Sequence, residues 1–135
     1  MITLEEFKKV EVRAGKILSA EKIPDTDKLL KLTVDFAETK EVAEPVDVTM
    51  PADPAVPAVP KKIVPAPRQI VSGISLYFPD PAVLVGKTCM FVTNLEPRVI
   101  KGFESNGMLF AVSDAAGNFS LLEPNNTIQP GTPAK

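Results

Sequence analysis

The chain of 135 residues has the length of one ordinary domain, is 44% hydrophobic, and carries 17 acids against 15 bases for a formal charge of −2. It has no histidine and one cysteine, which excludes the usual general base near neutral pH, a zinc site of ordinary composition and an intrachain disulfide. No apolar run approaches the ~18 residues that span a bilayer, and the polar start MITLEEFKK is unlike a secretion signal. With no paired carboxylate or lysine constellation in view, these features predict a cytoplasmic protein that is not an enzyme, holds no metal or cofactor and meets no membrane.

In chain order, Thr3-Leu4-Glu5-Glu6 has the form of a capping box and predicts a short N-terminal helix, with Phe7 and Val10 as a small apolar tab. VEVRAGKILSAEKI opens with period-two alternation, Val10, Val12 and Ala14 inward against Glu11 and Arg13. Gly15 then breaks the register and predicts a bulge or sharp coil. After the turn cluster IPDTD, KLLKLTVDF alternates strictly, with Leu30, Leu32, Val34 and Phe36 inward and Lys31, Thr33 and Asp35 outward.

Residues 41–67 then hold seven of the fourteen prolines and no glycine. Such a passage excludes a central strand or helix and favours extended polyproline conformation, with PVDVTM able to form a short edge strand. Charge divides along the same line. Residues 1–37 carry seven acids and seven bases, residues 68–135 five of each, and residues 38–67 five acids and three bases. The excess of −2 therefore sits in the proline-rich passage, and a neutral body can still present a basic face.

RQIVSGISLYF predicts a third strand, PDPAVLVG one helical turn from Pro79 and Pro81 to Gly86, and KTCMFVTNL a buried strand containing Cys89. The polar passage NLEPRVIKGFESNG, a fifth strand in GMLFAVSD, a turn at DAAGN and a last edge strand in FSLLEP complete the chain. Two strands before residue 38 are marginal alone and need those after residue 67 to close a core. The expected fold is all-β: a five-stranded barrel of the oligonucleotide-binding (OB) type, one domain over residues 1–135. It has a short N-terminal helix, a short helix between strands three and four, and residues 38–67 as a Pro-rich inserted loop between strands two and three.

NLEPRVIKGFESNGMLFA, together with VEVRAGKILSAEKIPDTDKLLKLTVDF and RQIVSGI, resembles the tRNA-binding domain at the C-terminus of many methionyl-tRNA synthetases. The same domain occurs in the phenylalanyl-synthetase β chain, in eukaryotic synthetase cofactors and as free-standing proteins. The resemblance covers residues 3–37 and 68–132; the departure is 38–67, where the family usually has a short turn. It implies an OB fold that grips tRNA without catalysis, an aminoacyl-tRNA synthetase as a further partner, and a homodimer in the free-standing forms. Dimeric secretion chaperones share these blocks, so binding of unfolded export substrates is the alternative.

An RNA grip needs cations for phosphates, hydrogen-bonding groups for sugars and base edges, and surfaces for stacking. With no tryptophan and Tyr77 as the lone tyrosine, stacking on successive bases is poorly served, and folded RNA recognised through its backbone fits better. Arg13, Lys31 and Arg68 fall on polar faces of the first three strands, as RNA contacts or as solvated cations, some paired locally with Glu11, Asp27 or Asp35. In the loop, Arg98 and Lys101 supply charge. Matched to the family motif, Asn94, Arg98, Ser105 and Met108 fall at its RNA-contacting positions, Met108 being either core or an exposed surface for a base. Lys61 and Lys62 either reach bound RNA or keep the passage solvated.

Overall fold

The computed structural model describes residues 1–43 and 61–135. The capping box forms as the sequence predicts. Thr3 Oγ1 accepts from Glu6 N at 3.1 Å and starts the one-turn helix α1 (Leu4–Phe7), whose Phe7 stays exposed on this chain, as does Val10 beyond it.

The strands follow: β1 (Val12–Lys22), β2 (Leu30–Asp35), β3 (Thr39–Ala43), β4 (Lys61–Pro65), β5 (Arg68–Ser72) and β6 (Thr88–Val92), then β7 (Arg98–Ile100), β8 (Phe103–Ser105), β9 (Met108–Leu109), β10 (Ala111–Ser113) and β11 (Phe119–Leu121). The wall of the molecule is a five-stranded antiparallel sheet in the order β5-β2-β1-β6-β9. Its two edges approach one another and make a nearly closed barrel. Asn106 N donates to Gln69 O at 2.9 Å, and Val71 N donates to Ser105 Oγ at 3.0 Å across the seam. The C-terminal tail lies along β1, with Ala14 N to Thr132 O at 2.9 Å and Ala134 N to Val12 O at 2.8 Å.

The alternation read in β2 is the core. Leu30, Leu32, Val34 and, just beyond it, Phe36 are buried together with Ile17, Ile70, Leu84, Cys89 and Phe91. Phe36 and Phe91 meet edge to face, centroids 5.3 Å apart.

Three expectations change. Gly15 makes no bulge: it stays in register opposite Cys89, and the irregularity in β1 lies between Ile17 and Ser19. What requires glycine is space, because a Cβ there would stand 2.5 Å from Phe36 Cε1 and 2.6 Å from Val34 Cγ1. The helix expected between strands three and four is instead a pair of short 3-10 turns, Ser75–Tyr77 and Pro81–Leu84. Asp80 caps the second by accepting from Ala82 N at 3.1 Å, and the left-handed Gly86 (φ 87°) follows within two residues, too soon for an α-helix. Finally, the ends of the Pro-rich passage are a ladder rather than a loop. β3 and β4 pair antiparallel, from Thr39 opposite Pro65 to Ala43 opposite Lys61. The edge strand suggested for PVDVTM lies outside the described residues.

FSLLEP does form a strand, β11, which pairs with β10 as a hairpin, and just past it Leu122 O accepts from Met90 N of β6 at 2.9 Å. The DAAGN turn that joins them is held by Asp114, whose carboxylate accepts from the backbone of Ala116 and Asn118.

Candidate functional site

The passage from Thr93 to Gly107 leaves the wall at β6 and returns to it at β9, and within it β7 and β8 form a hairpin of their own. Lys101 (φ 52°) and Gly102 (φ 84°) are its two loop residues, both left-handed, the geometry that matches the right-handed twist of a tight hairpin. Arg98, Val99 and Lys101 project into solvent. Among the described residues neither Arg98 nor Lys101 forms an ion pair.

The neck of this loop is built differently. Thr93 and Ser105 are each 5% exposed. Ser105 Oγ accepts from Val71 N and donates to Gly107 O at 3.2 Å. Asn94 Oδ1 accepts from Glu11 N at 2.7 Å, and its amide nitrogen donates to Lys9 O, so this side chain ties the segment after α1 to the loop. Gln69 reaches across from β5 and donates to Glu104 O at 2.9 Å. Arg68 makes four hydrogen bonds to the protein: two to Glu38, at 2.6 and 2.8 Å, and one each to the carbonyls of Thr93 (2.6 Å) and Asn106 (3.3 Å). The Arg68 hydrogen bonds, followed by the charges of Arg68 and Arg13, hold the Glu38 carboxyl below its ordinary value against an opposing effect of burial.

The eight candidate residues thus fall into four settings. Arg98 and Lys101 occupy the open hairpin, and Lys31 comes to it from β2, its Nζ 5.3 Å from the centre of the Phe103 ring and 3.2 Å from Glu21 Oε2. Arg68, Asn94 and Ser105 meet protein partners at the neck. Arg13 lies beside the neck on β1, its Nε 2.7 Å from Glu11 Oε1 without hydrogen-bond alignment. Met108 pairs with Val92 at the start of β9 and is 46% exposed, so it is partly open surface rather than sealed core. The side chains of Lys61 and Lys62 lie outside what the structure describes.

Sequence reasoning missed Glu38, Gln69, Thr93 and Phe103, which orient the others. Only Glu38 carried a signal, an acid at the start of the proline-rich passage, and nothing local pointed it at Arg68.

Other features offer less chemistry. The Cys89 thiol is pushed up to about 11, first by burial and then by the charge of Glu123, so it is a core atom and a poor nucleophile. A polar groove of about 790 Å³ runs beside Lys16, Lys87, Glu123 and Gln129, contains none of the eight candidates, and has Lys87 and Glu123 paired at 3.3 Å. Among the described residues, no cluster of acids and cysteine could hold a metal ion, and no helix is long and apolar enough to cross a membrane.

Comparison with known proteins gives the chain its family. The family described as "Putative tRNA binding domain" matches residues 61–133. The methionine–tRNA ligase of Methanoregula boonei is 43% identical over 133 residues, 98% of this chain and 15% of that enzyme, so the chain spans a small part of such relatives. Among solved structures, a MetRS-related protein from Pyrococcus horikoshii superposes with a TM-score of 0.75 at 30% identity, covering 100% of this chain and 98% of that one. The chaperone CsaA of Bacillus anthracis, at 22% identity and a TM-score of 0.69 over 100% of this chain and 99% of its own, shares the fold. The chain belongs to the tRNA-binding domain family.

Proposed function

We propose that this chain is a non-catalytic, structure-specific tRNA-binding module, either free-standing or serving a methionyl-tRNA synthetase. The observation that carries the reading is the pair of solvent-facing cations, Arg98 and Lys101, on a hairpin held out from a rigid neck, neither in an ion pair among the described residues. Phosphate contacts from such a hairpin raise affinity and set register while reading little sequence. Lys31, Arg13 and the partly exposed Met108 extend the RNA-facing surface on either side. Arg68, Asn94 and Ser105 complete the set from the neck, where their bonds to protein hold the loop that carries the hairpin.

In this reading residues 1–135 are one OB-fold domain, with 38–67 inserted between its second and third barrel strands. It works in the cytoplasm as a homodimer. Where it is joined to or recruited by a synthetase, effective concentration turns modest tRNA affinity into retention of substrate.

A dimeric chaperone binding unfolded polypeptides is the second reading. Its support is the row of exposed apolar side chains Met108, Phe110 and Val112 along β9 and β10. Titration with total tRNA and with a heat-denatured polypeptide over a salt series separates the two. For the tRNA module, log affinity falls with log salt by roughly 0.7 to 0.9 per phosphate neutralised, and the polypeptide does not compete. Salt-insensitive polypeptide binding without tRNA binding rejects it for the chaperone.

A further inference from the structure

Arg68 differs from the other cations because its guanidinium is directed at protein on both edges. Nη1 donates to Thr93 O at 2.6 Å and to Asn106 O at 3.3 Å, the carbonyls where the hairpin loop begins and ends. Nε and Nη2 form a bidentate fork on Glu38, at 2.6 and 2.8 Å, and the guanidinium carbon sits 5.4 Å from the centre of the Phe36 ring. Glu38 directly precedes β3, and its carbonyl accepts from Ala66 N at 2.9 Å, just past β4. A second acid supports the same neck: Thr93 Oγ1 donates to Glu11 Oε1 at 2.7 Å.

We propose that Arg68 is a positioning residue, a staple that Glu38 orients across the neck of the loop, and through which the root of the β3–β4 ladder sets the aim of Arg98 and Lys101 on RNA. This rests on the tRNA reading above. The planar fork is what the geometry requires. A lysine keeps the charge but cannot hold two carbonyls and a carboxylate in fixed directions. Charge alone and positioning also predict opposite signs at Glu38. An acid near an RNA-facing surface repels phosphate, so by charge its removal strengthens binding. As the residue that orients the staple, its removal weakens binding.

The test measures tRNA affinity over a salt series for wild type, Arg68→Lys and Glu38→Gln, and amide hydrogen exchange of residues 94–106 in each free protein. Both variants are expected to bind about tenfold more weakly, the cost of ordering on RNA a hairpin the staple no longer holds in place, at an unchanged salt slope because the same phosphates are neutralised once bound. Loop amides exchange faster in both while those of β1 and β2 do not change. Wild-type affinity in Arg68→Lys shows that charge at most, not the planar fork, matters there and overturns the proposal, as does tighter binding by Glu38→Gln. If wild type itself binds no tRNA, the tRNA reading fails and the link to RNA is overturned with it; loop exchange still decides separately whether the staple holds the neck.

Discussion

At the neck of the loop, Thr93 and Ser105 are buried; Arg68 and Gln69 of β5 donate to its carbonyls, its Asn94 and Thr93 side chains bond Lys9 and Glu11 after α1, and Glu38 at the start of the Pro-rich passage holds Arg68. At the tip a few residues away, Val99 is 74% exposed and the cations beside it are exposed and form no ion pair among the described residues. The same short passage is thus fixed at one end and unencumbered at the other. Buried polar groups must be paired, and that requirement gives the neck its shape. Exposed charges carry no such requirement, so the tip can be altered in function without being altered in fold.

The sharpest way to break this comparison is from beneath. Phe91→Ala removes the aromatic partner of Phe36 below the neck and is expected to cost about 3–5 kcal/mol, abolishing tRNA binding together with cooperative melting. Chemical denaturation measures the first and filter binding the second; retained binding in a destabilised protein would uncouple the loop from the core. Gly15→Ala acts from the wall by overpacking against Phe36 and Val34, at about 1–3 kcal/mol. A wild-type melting temperature would show that the Phe36 ring can yield.

At the tip, Gly102→Ala forces a side chain into the left-handed region where nothing crowds its Cβ, so only backbone strain of about 1 kcal/mol is expected. Arg98→Ala with Lys101→Ala should shift stability by no more than about 0.5 kcal/mol yet weaken tRNA binding several-fold. The salt slope should fall by roughly 0.7 to 0.9 for each phosphate that is no longer neutralised. Unchanged affinity would move the RNA surface off the hairpin.

The smallest effect is in pH. The folded-state carboxyl of Glu38 titrates below its ordinary value of 4.5, chiefly through the Arg68 hydrogen bonds. Its contribution to stability is therefore present above 4.5 and disappears as pH falls through the depressed value. Thermal midpoints of wild type and Glu38→Gln should differ at neutral pH and converge in acid. A gap independent of pH would mean that the pair does not stabilise through ionisation.

The residues explain what could be read in advance. β2 was legible because its alternation is a period of two over a few residues, and α1 because Thr3 and Glu6 lie three apart. The Asp80-Pro81 turn and the exposed hairpin were legible through proline, glycine and polar composition. The role of Arg68 was not, since its partners lie 30, 25 and 38 residues away. Nor was the reason for Gly15, which is the Val34 side chain on the neighbouring strand and the Phe36 ring just past its end.

By itself, then, the sequence determined the local elements, the burial pattern of the wall and the placement of cations in one loop, because each depends on backbone preference and hydrophobic period over short spans. Tertiary structure alone decided which polar side chains are consumed at the neck, which cations stay open to solvent, and that the two ends of the Pro-rich passage pair with one another. The neck follows from closing the sheet, which brings distant carbonyls, carboxylates and guanidinium groups within hydrogen-bond reach at buried and partly buried positions, whereas the β3–β4 ladder pairs at largely exposed ones.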